Sequence, residues 1–559
     1  MILYKSLVGP HARTLNFSSF SAFSNAVIFF IVLAASYWTG LAFSQSLPSG
    51  PQEEIEGELV ILHEDNNQGG RYHYFLDAAG SRLALSIAKE PPTHLTSGAR
   101  VRVRGVRVNG VLALQSGGDS VQVLSSALPN TLGEQRTLVI LVNFRNYTSQ
   151  PYTIDFANNL FFGTTSNFFL ENSYQQTYLS GLIKGWYTID MDSPTNSATC
   201  DYSLISSLAD QAASNAGVVL SNYSRKVYAF PQTGCGWWGL GSVGGNPSLA
   251  WINGNLELPV AAHELGHGLG LYHSHALDCG TVTVGSNCAA IEYGDVFDMM
   301  GGSNDAGHFN AFQKERLSWL NYGVSPPITT VSTDGTYTLG TYESIGLGPK
   351  ALKILKSIDP ITGKRTWYYI ESRQAIGFDG FLANNTNVLN GVLVHIGSES
   401  GGNTGYLLDM NPSNDSLIWD WLANAPLVVG QTFEDPDTGV TMTTDWVSGT
   451  GAAVTVGFGA GGTSSTATVT IATDQAIYTR NQSVSIKATV RSGGAPVANA
   501  TVNFTVKKSN GSLVTASATT GSTGTAVYKL RLTKKDPVGT YEALAATMSA
   551  SAATNFMVQ

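Results

Sequence analysis

A chain of 559 residues is too long for a single core and, at about 150 residues per domain, reads as three to four domains. Hydrophobic residues at 43% exclude wholesale disorder, and a net charge of -9 leaves no basic face, which excludes nucleic acid as a partner. Charged residues at only 13% with 60 glycines fit β-rich, loop-rich extracellular domains better than a helical cytosolic enzyme.

The N-terminus reads as a targeting segment. Lys5 and Arg13 form a positive n-region, Ala26 to Ala35 is an apolar run, and the small residues Ala42, Ser44 and Ser46 suit cleavage after Ser44. The alternative is an uncleaved anchor, since Phe20 to Phe43 is long enough to span a bilayer if Ser24, Ser36 and Thr39 are tolerated. Basic residues precede the run and Glu53, Glu54, Glu56 and Glu58 follow it, so the bulk of the chain faces outward either way. Residues 1–44 are therefore a signal peptide or anchor, and the protein is expected to be secreted or surface-attached. Contact with a membrane follows only if the segment stays uncleaved.

Residues 51–126 alternate like short strands: Glu58 to His63, Tyr72 to Asp77, Arg82 to Ile87, Val101 to Val106 and Val111 to Gln115. Five such strands predict a small barrel of OB-like type, placed where a prosegment would sit. Arg100, Arg102, Arg104 and Arg107 interleave with valines, and a solvated strand face is the better reading of them than a binding stripe.

From Arg136 strands alternate with helices, which predicts an α/β domain with a mixed sheet over 135–322. Thr137 to Phe144 is an apolar strand, Phe168 to Leu179 helix-like, Leu182 to Asp190 a strand, and Tyr202 to Ala216 a helix. Lys226 to Phe230 and Leu249 to Ile252 follow as strands around a Gly-rich stretch, and a helix begins near Pro259. Residues 325–458 return to strands, 459–466 is a flexible linker by composition, and 467–559 shows about seven strands at the spacing of an Ig-like β-sandwich. In that sandwich Tyr478, Tyr528 and Tyr541 read as core or corner residues rather than a ligand platform.

All four cysteines, Cys200, Cys235, Cys279 and Cys288, fall between 200 and 288, and three connectivities are open. Nearest-neighbour pairing, Cys200–Cys235 and Cys279–Cys288, is preferred; the competitor is a structural thiolate zinc site, whose usual spacings are not met.

One segment carries chemistry: His263-Glu264-Leu265-Gly266-His267-Gly268-Leu269-Gly270-Leu271-Tyr272-His273. Residues four apart share a helix face, so His263 and His267 can aim at one ion, with Glu264 able to reach a water on it. Gly270 permits positive φ, which would end the helix and return His273 as a third ligand. Three histidines leave an open position, the mark of a catalytic zinc site, and a carboxylate beside it can take the proton of the attacking water. Gly266 and Gly268 each cost a helix about 1 kcal/mol relative to alanine, so helix stability alone does not choose them. His275 is a weaker ligand candidate that competes with His273, and a solvated loop histidine is its simpler reading.

The elongated motif resembles that of the metzincin zinc endopeptidases, and Asp298-Met299-Met300-Gly301 resembles their methionine turn. Glu171-Asn172-Ser173-Tyr174, Gly185-Trp186-Tyr187, Tyr293-Gly294-Asp295 and His308-Phe309-Asn310-Ala311 are similar to the gametolysin-like branch and its bacterial relatives. The resemblance implies His263, His267 and His273 as ligands of one Zn2+, Glu264 as general base and acid, and Met300 as the floor, with Met299 the alternate. It also implies that Gly239, Leu240, Gly241, Ser242 and Val243 form an edge strand aligning an extended peptide, against a glycine-rich loop with no substrate role. Some metzincins use a tyrosine soon after the methionine turn; none occurs between Met300 and Tyr322, so that role is unassigned. Residues 1–199 contain no cysteine, so a prosegment at 51–126 would block the metal sterically or through a carboxylate. Calcium suits such an extracellular enzyme, but no Asp-x-Asp-x-Asp-Gly loop supports it. The expected function is a secreted zinc endopeptidase acting on proteins or peptides, with the sandwich attaching it to a surface or matrix or serving as a spacer. The rival is a non-catalytic adhesin on the same scaffold.

Overall fold

The computed structural model describes residues 50–559 apart from 67–69, 88–93, 115–119, 129, 303–305, 321–326, 347, 360–361, 413–423, 459–466, 493–494, 499 and 548–550. The segments expected to be a signal peptide or anchor (1–44) and a linker (459–466) lie outside the described residues. No helix among the described residues is long and apolar enough to cross a membrane.

The chain is β-rich, with several sheets and few helices. Among the described residues the first six strands are β1 (Gln52–Asp65), β2 (Arg71–Ala78), β3 (Ser81–Ile87), β4 (Arg100–Val108), β5 (Val111–Leu114) and β6 (Val121–Ser125). Five of them close a ring in the order β1-β2-β3-β5-β4-β1, with β3 and β5 parallel. Alternation puts Leu59, Ile61, Val101, Val103 and Leu112 inside. The arginines of β4 face out and pair across the strands with glutamates of β1: Arg104–Glu54 at 2.6 Å and Arg107–Glu53 at 2.8 Å.

β1 is longer than the ring needs. Its end pairs antiparallel with β10 (Gly239–Ser242), and the ring thereby joins one 11-stranded sheet. That sheet continues through β11 (Ser248–Asn253), β9 (Arg225–Phe230), β7 (Gly133–Phe144) and β8 (Thr177–Ile189), the last four mutually parallel. The boundary expected between 126 and 135 is therefore crossed by backbone hydrogen bonds. Five α-helices belong to this region: α1 (Ile154–Asn158), α2 (Ser166–Asn172), α3 (Tyr202–Asn215), α4 (Leu258–Gly268) and α5 (Ala311–Arg316). α3 packs Ile205, Ala209 and Ala213 against Leu138, Ile140 and Val142 of β7 on one face of the sheet. On the other face α4 lies in a core with Phe168, Phe169, Phe309 and Trp319.

The helix expected over Phe168 to Leu179 stops at Asn172. Tyr174 and Gln175 adopt φ of 56° and 67°, which no helix accommodates, and Thr177 already begins β8.

A second sheet runs β13-β12-β19-β18-β17-β16-β14, formed by β12 (His275–Asp278), β13 (Ala289–Ile291), β14 (Ile328–Val331), β16 (Ala351–Ile358), β17 (Arg365–Glu371), β18 (Gly391–Ser398) and β19 (Tyr406–Leu408). β15 (Gly335–Gly340) instead joins a four-stranded sheet completed by Thr432–Glu434, Val440–Ser448 and Gly451–Phe458. Because β12 and β13 precede residue 322, the boundary expected at 322–325 is also crossed. The strand that leaves the histidine motif pairs in parallel with Tyr406–Leu408.

Residues 467–559 form a four-stranded and a five-stranded sheet around Tyr478, Val484, Ile486, Phe504, Tyr541 and Phe556. No strand pairing among the described residues joins them to the rest. Cys200–Cys235 and Cys279–Cys288 are disulfides, so no free thiolate is left for a structural zinc site.

Candidate metal centre

α4 opens with Pro259 in its first turn, where a missing N–H costs nothing, and buries Ala261, Ala262 and Glu264 to Gly268, leaving His263 part-buried. It ends because Gly270 takes φ of 102°; the Gly270 N–H donates to His267 O at 2.7 Å and the Leu271 N–H to Gly266 O at 3.1 Å. The chain turns back and brings His273 beside the two helical histidines. The three imidazole centroids are 4.9, 5.0 and 5.2 Å apart, close to an equilateral triangle.

Each Nδ1 faces an oxygen acceptor. His263 donates to Met299 O at 2.8 Å, His267 to Leu271 O at 2.9 Å, and His273 to the Glu292 carboxylate. With their protons on Nδ1, the rings present Nε2 lone pairs to one another. His263 Nε2 and His273 Nε2 are 3.3 Å apart, and His267 Nε2 is buried with no hydrogen-bond partner. Lone pairs facing each other at that distance repel unless a cation lies among them. Two nitrogens each about 2.0–2.1 Å from one tetrahedral zinc are about 3.3–3.4 Å apart, so the donor set fits that ion.

The fourth direction is filled by β1. Asp65 Oδ1 lies 2.9 Å from His273 Nε2 and 3.6 Å from His263 Nε2, and Oδ2 lies 3.5 Å from His267 Nε2. His63 Nδ1 is 3.0 Å from Asp65 Oδ1, and Tyr293 donates its hydroxyl to the same oxygen at 2.6 Å. Ligand atoms of His63, Asp65, His267 and His273 all lie within 4.8 Å of one another. Burial opposes ionisation of Asp65, but the surrounding His63 and His263 outweigh it and hold its carboxyl well below the usual range. Burial pushes His63 and His267 down to about 4.

Glu264 is buried beside this group, and its Oε2 also lacks a partner. Burial first and the Asp65 charge second raise its carboxyl well above the usual range. It fits only because β10 carries glycines: a Cβ on Gly239 would overlap the Glu264 carboxylate, and one on Gly241 would come 2.7 Å from Oε2.

The paired methionines divide their work. Met300 is fully buried under α4, where a Cβ on Gly266 would come 2.5 Å from its Sδ. Met299 contributes its carbonyl to His263. Gly268 is small for a similar reason, since a Cβ there would approach Ser248 Oγ at 2.6 Å. Asp298 holds the turn by accepting from the Met300 N–H at 2.6 Å and the Asn310 N–H at 2.5 Å. Asp295, from the same loop, accepts from Asn310 Nδ2 at 3.0 Å and lies 2.9 Å from His395 Nε2 of β18. Arg373, just beyond β17, donates to Phe297 O at 2.7 Å and pairs with Glu371; Glu371 and Asp379 accept from the backbone at Ala311 and His308. Every side chain in this clamp is fully buried.

His263, Glu264, His267, His273 and Met300 thus meet at one place, and Gly239–Ser242 is a strand beside it with Val243 directly following; it is not the edge expected, because β1 pairs with it on one side and β11 on the other. His275 is elsewhere, bonded to Asn403 Oδ1 at 2.9 Å and sharing Glu292 with His273. Sequence reasoning did not find His63, Asp65, Glu292 or the reach of Tyr293. Tyr293 opens a motif already noticed and Glu292 adjoins it, whereas His63 and Asp65 sit on an ordinary alternating strand.

Residues 157–353 match the gametolysin peptidase M11 family. The match takes in the histidine motif and the methionine turn, and it supports a metallopeptidase. No curated protein matches the chain. Among solved structures the chain is similar, over 17% of its length, to the DNA glycosylase AlkC of Pseudomonas fluorescens, at 12% identity over 31% of that chain with a TM-score of 0.14. It is similar over 17% to the sporulation control protein Spo0M of Bacillus subtilis, at 10% identity over 49% of that chain with a TM-score of 0.13. A third likeness, over 37%, is to a tandem repeat of a large adhesion protein, at 12% identity over 49% of that chain with a TM-score of 0.16. The chain spans between about a third and a half of these structures, and at such scores they carry no argument.

Proposed function

We propose that residues 135–458 act as a metzincin-type zinc endopeptidase on extracellular proteins or peptides, in a protein exported by its N-terminal segment. One observation carries the reading: three Nε2 atoms converge while each Nδ1 is tied to an oxygen. His263, His267 and His273 would hold the ion, which when bound supplies a Lewis acid and lowers the pKa of water to about 7.

The remaining chemistry belongs to the chain. Glu264, buried beside the histidines with its Oε2 unpartnered, takes a proton from the attacking water at Oε2 and passes it to the departing amine nitrogen. β10, paired with β11 on one side, would align an extended peptide on its other side, the side that residues 62–65 of β1 take here. The Tyr293 hydroxyl, now on Asp65, donates to a substrate carbonyl oxygen placed there. Residues 51–126 read as a prosegment. Residues 467–559 read as an Ig-like sandwich, supported by Tyr541 donating to Pro537 O at 2.8 Å, as a tyrosine corner does. Its part would be to attach the enzyme to a surface or matrix, or to space it from one.

The test is metal content with turnover. One zinc per chain is expected, with casein hydrolysis abolished by a chelator. Glu264→Ala should keep zinc and fold while losing about 10²–10⁴-fold in rate. Zinc binding with no hydrolysis in any form of the chain would instead favour a binding protein on this scaffold.

A further inference from the structure

We propose that β1 is the enzyme's own inhibitor: Asp65 takes the open metal position while residues 62–65 occupy the peptide's place on β10. The inference rests on the zinc-peptidase reading and adds how that site is closed.

Two independent contacts coincide on one strand. The first is backbone pairing, Leu62↔Ser242, His63↔Gly241, Glu64↔Leu240 and Asp65↔Gly239, antiparallel along the segment that would receive substrate. An edge strand pairs on its open side with whichever extended chain reaches it first. The second is the Asp65 carboxylate among the three Nε2 atoms, with Oδ2 buried and without a hydrogen-bond partner. A buried anion in that state needs a cation beside it.

The strand is delivered, not merely adjacent. Gln52–Glu58 pairs with β4 and Glu58–Glu64 with β2, so the ring sets the direction in which the last residues of β1 leave it. Alternation then sorts the side chains. Val60 and Leu62 enter the core shared with Leu240 and Trp251, while His63 and Asp65 turn to the histidines. His63 is 1% exposed, lies 3.0 Å from Asp65 and packs edge-on against His273 at 4.1 Å, so it is a positioning residue for the carboxylate. Substrate cannot enter beside β1, because one strand fills both the ladder and the metal direction. Opening requires the end of β1 to leave.

The chain offers a place for that release. Between the ring and β7, Leu128 is 90% exposed. Hydrolysis of one peptide bond at Leu128, consuming one water, converts a tethered occupant into a dissociable one.

The experiment uses the full zinc-loaded chain with a sequence-specific protease site placed at Leu128. Hydrolysis of a fluorogenic peptide should rise about 100-fold after cutting and dilution, the scale on which a tethered occupant exceeds the same group free in solution. Cobalt(II) in place of zinc reports coordination without turnover. Asp65→Asn in the uncut chain should change the visible cobalt spectrum, and cutting the wild-type chain should change it in the same direction. Equal hydrolysis before and after cutting, or a cobalt spectrum unmoved by both changes, would overturn the inhibitor while leaving the peptidase intact. A cut chain that neither binds cobalt nor hydrolyses peptide would instead bring down the zinc-peptidase reading.

Discussion

The metal centre has two neighbours, and they hold it by different physics. The second sheet grips the methionine turn with buried charge: Arg373, Glu371, Asp379, Asp295 and His395, each fully buried and each partnered. The N-terminal ring reaches the same centre with a short backbone ladder, one carboxylate and an apolar contact in which Val60 and Leu62 meet Leu240 and Trp251. Removing one member of a buried ionic set strands the others without water, so the first contact has no cheap alternative state. A ladder and a ligand can both be replaced, by any extended peptide and by a water. The first neighbour is therefore architecture, and the second is an occupant.

The largest expected effect breaks the architectural side. Arg373→Ala should cost about 3–5 kcal/mol and unfold the histidine region together with the second sheet, seen as one shifted transition in denaturant. Separate transitions would show that the clamp does not couple them. On the occupant side, Tyr293→Phe in the cut chain should lower kcat about 10–100-fold with little change in KM, because its hydroxyl is then free to serve the reaction. An unchanged kcat would confine Tyr293 to holding Asp65. Gly266→Ala tests the floor between the two sides. Met300 must shift, at about 1–3 kcal/mol, and zinc should be lost to a competing chelator more readily than from wild type.

The smallest effect lies where the second sheet meets the four-stranded one, away from the centre. Burial alone would raise Asp435, but Lys356 at 2.8 Å and Tyr368 at 2.7 Å bring it down to about 2 from an ordinary 3.8. A carboxylate lowered in the folded state stabilises fully above the unfolded pKa and loses that contribution as pH falls through the folded one. Asp435→Asn should therefore cost about 1 kcal/mol at neutral pH, with the difference from wild type closing between pH 4 and 2 in denaturant melts.

Much of the centre was legible because helix geometry is local. His263, Glu264 and His267 announce themselves by spacing, and Gly270 by the turn only glycine makes easily. Gly266 and Gly268 looked wasteful in a helix until Met300 and Ser248 were seen against them. What stayed hidden is non-local. Nothing in Leu62-His63-Glu64-Asp65 distinguishes it from any alternating strand; its meaning comes from pairing with Gly239–Ser242, far along the chain. The reach of the helix after Phe168 was misjudged for the opposite reason. Apolar spacing continues to Leu179, but Tyr174 and Gln175 take positive φ and end it. The boundaries expected at 126–135 and 322–325 follow changes in pattern, and strand pairing runs across both, because sheets are indifferent to where a pattern changes.

The strand that follows His273 has a consequence for how this protein can be cut and recombined. His275–Asp278 is laid down against Tyr406–Leu408, so the last histidine is anchored on a sheet finished more than a hundred residues later. A cassette ending near Tyr322 would carry the whole signature and still misplace its third imidazole. The smallest transplantable unit extends to about residue 458, whereas the sandwich beyond it is free to be exchanged.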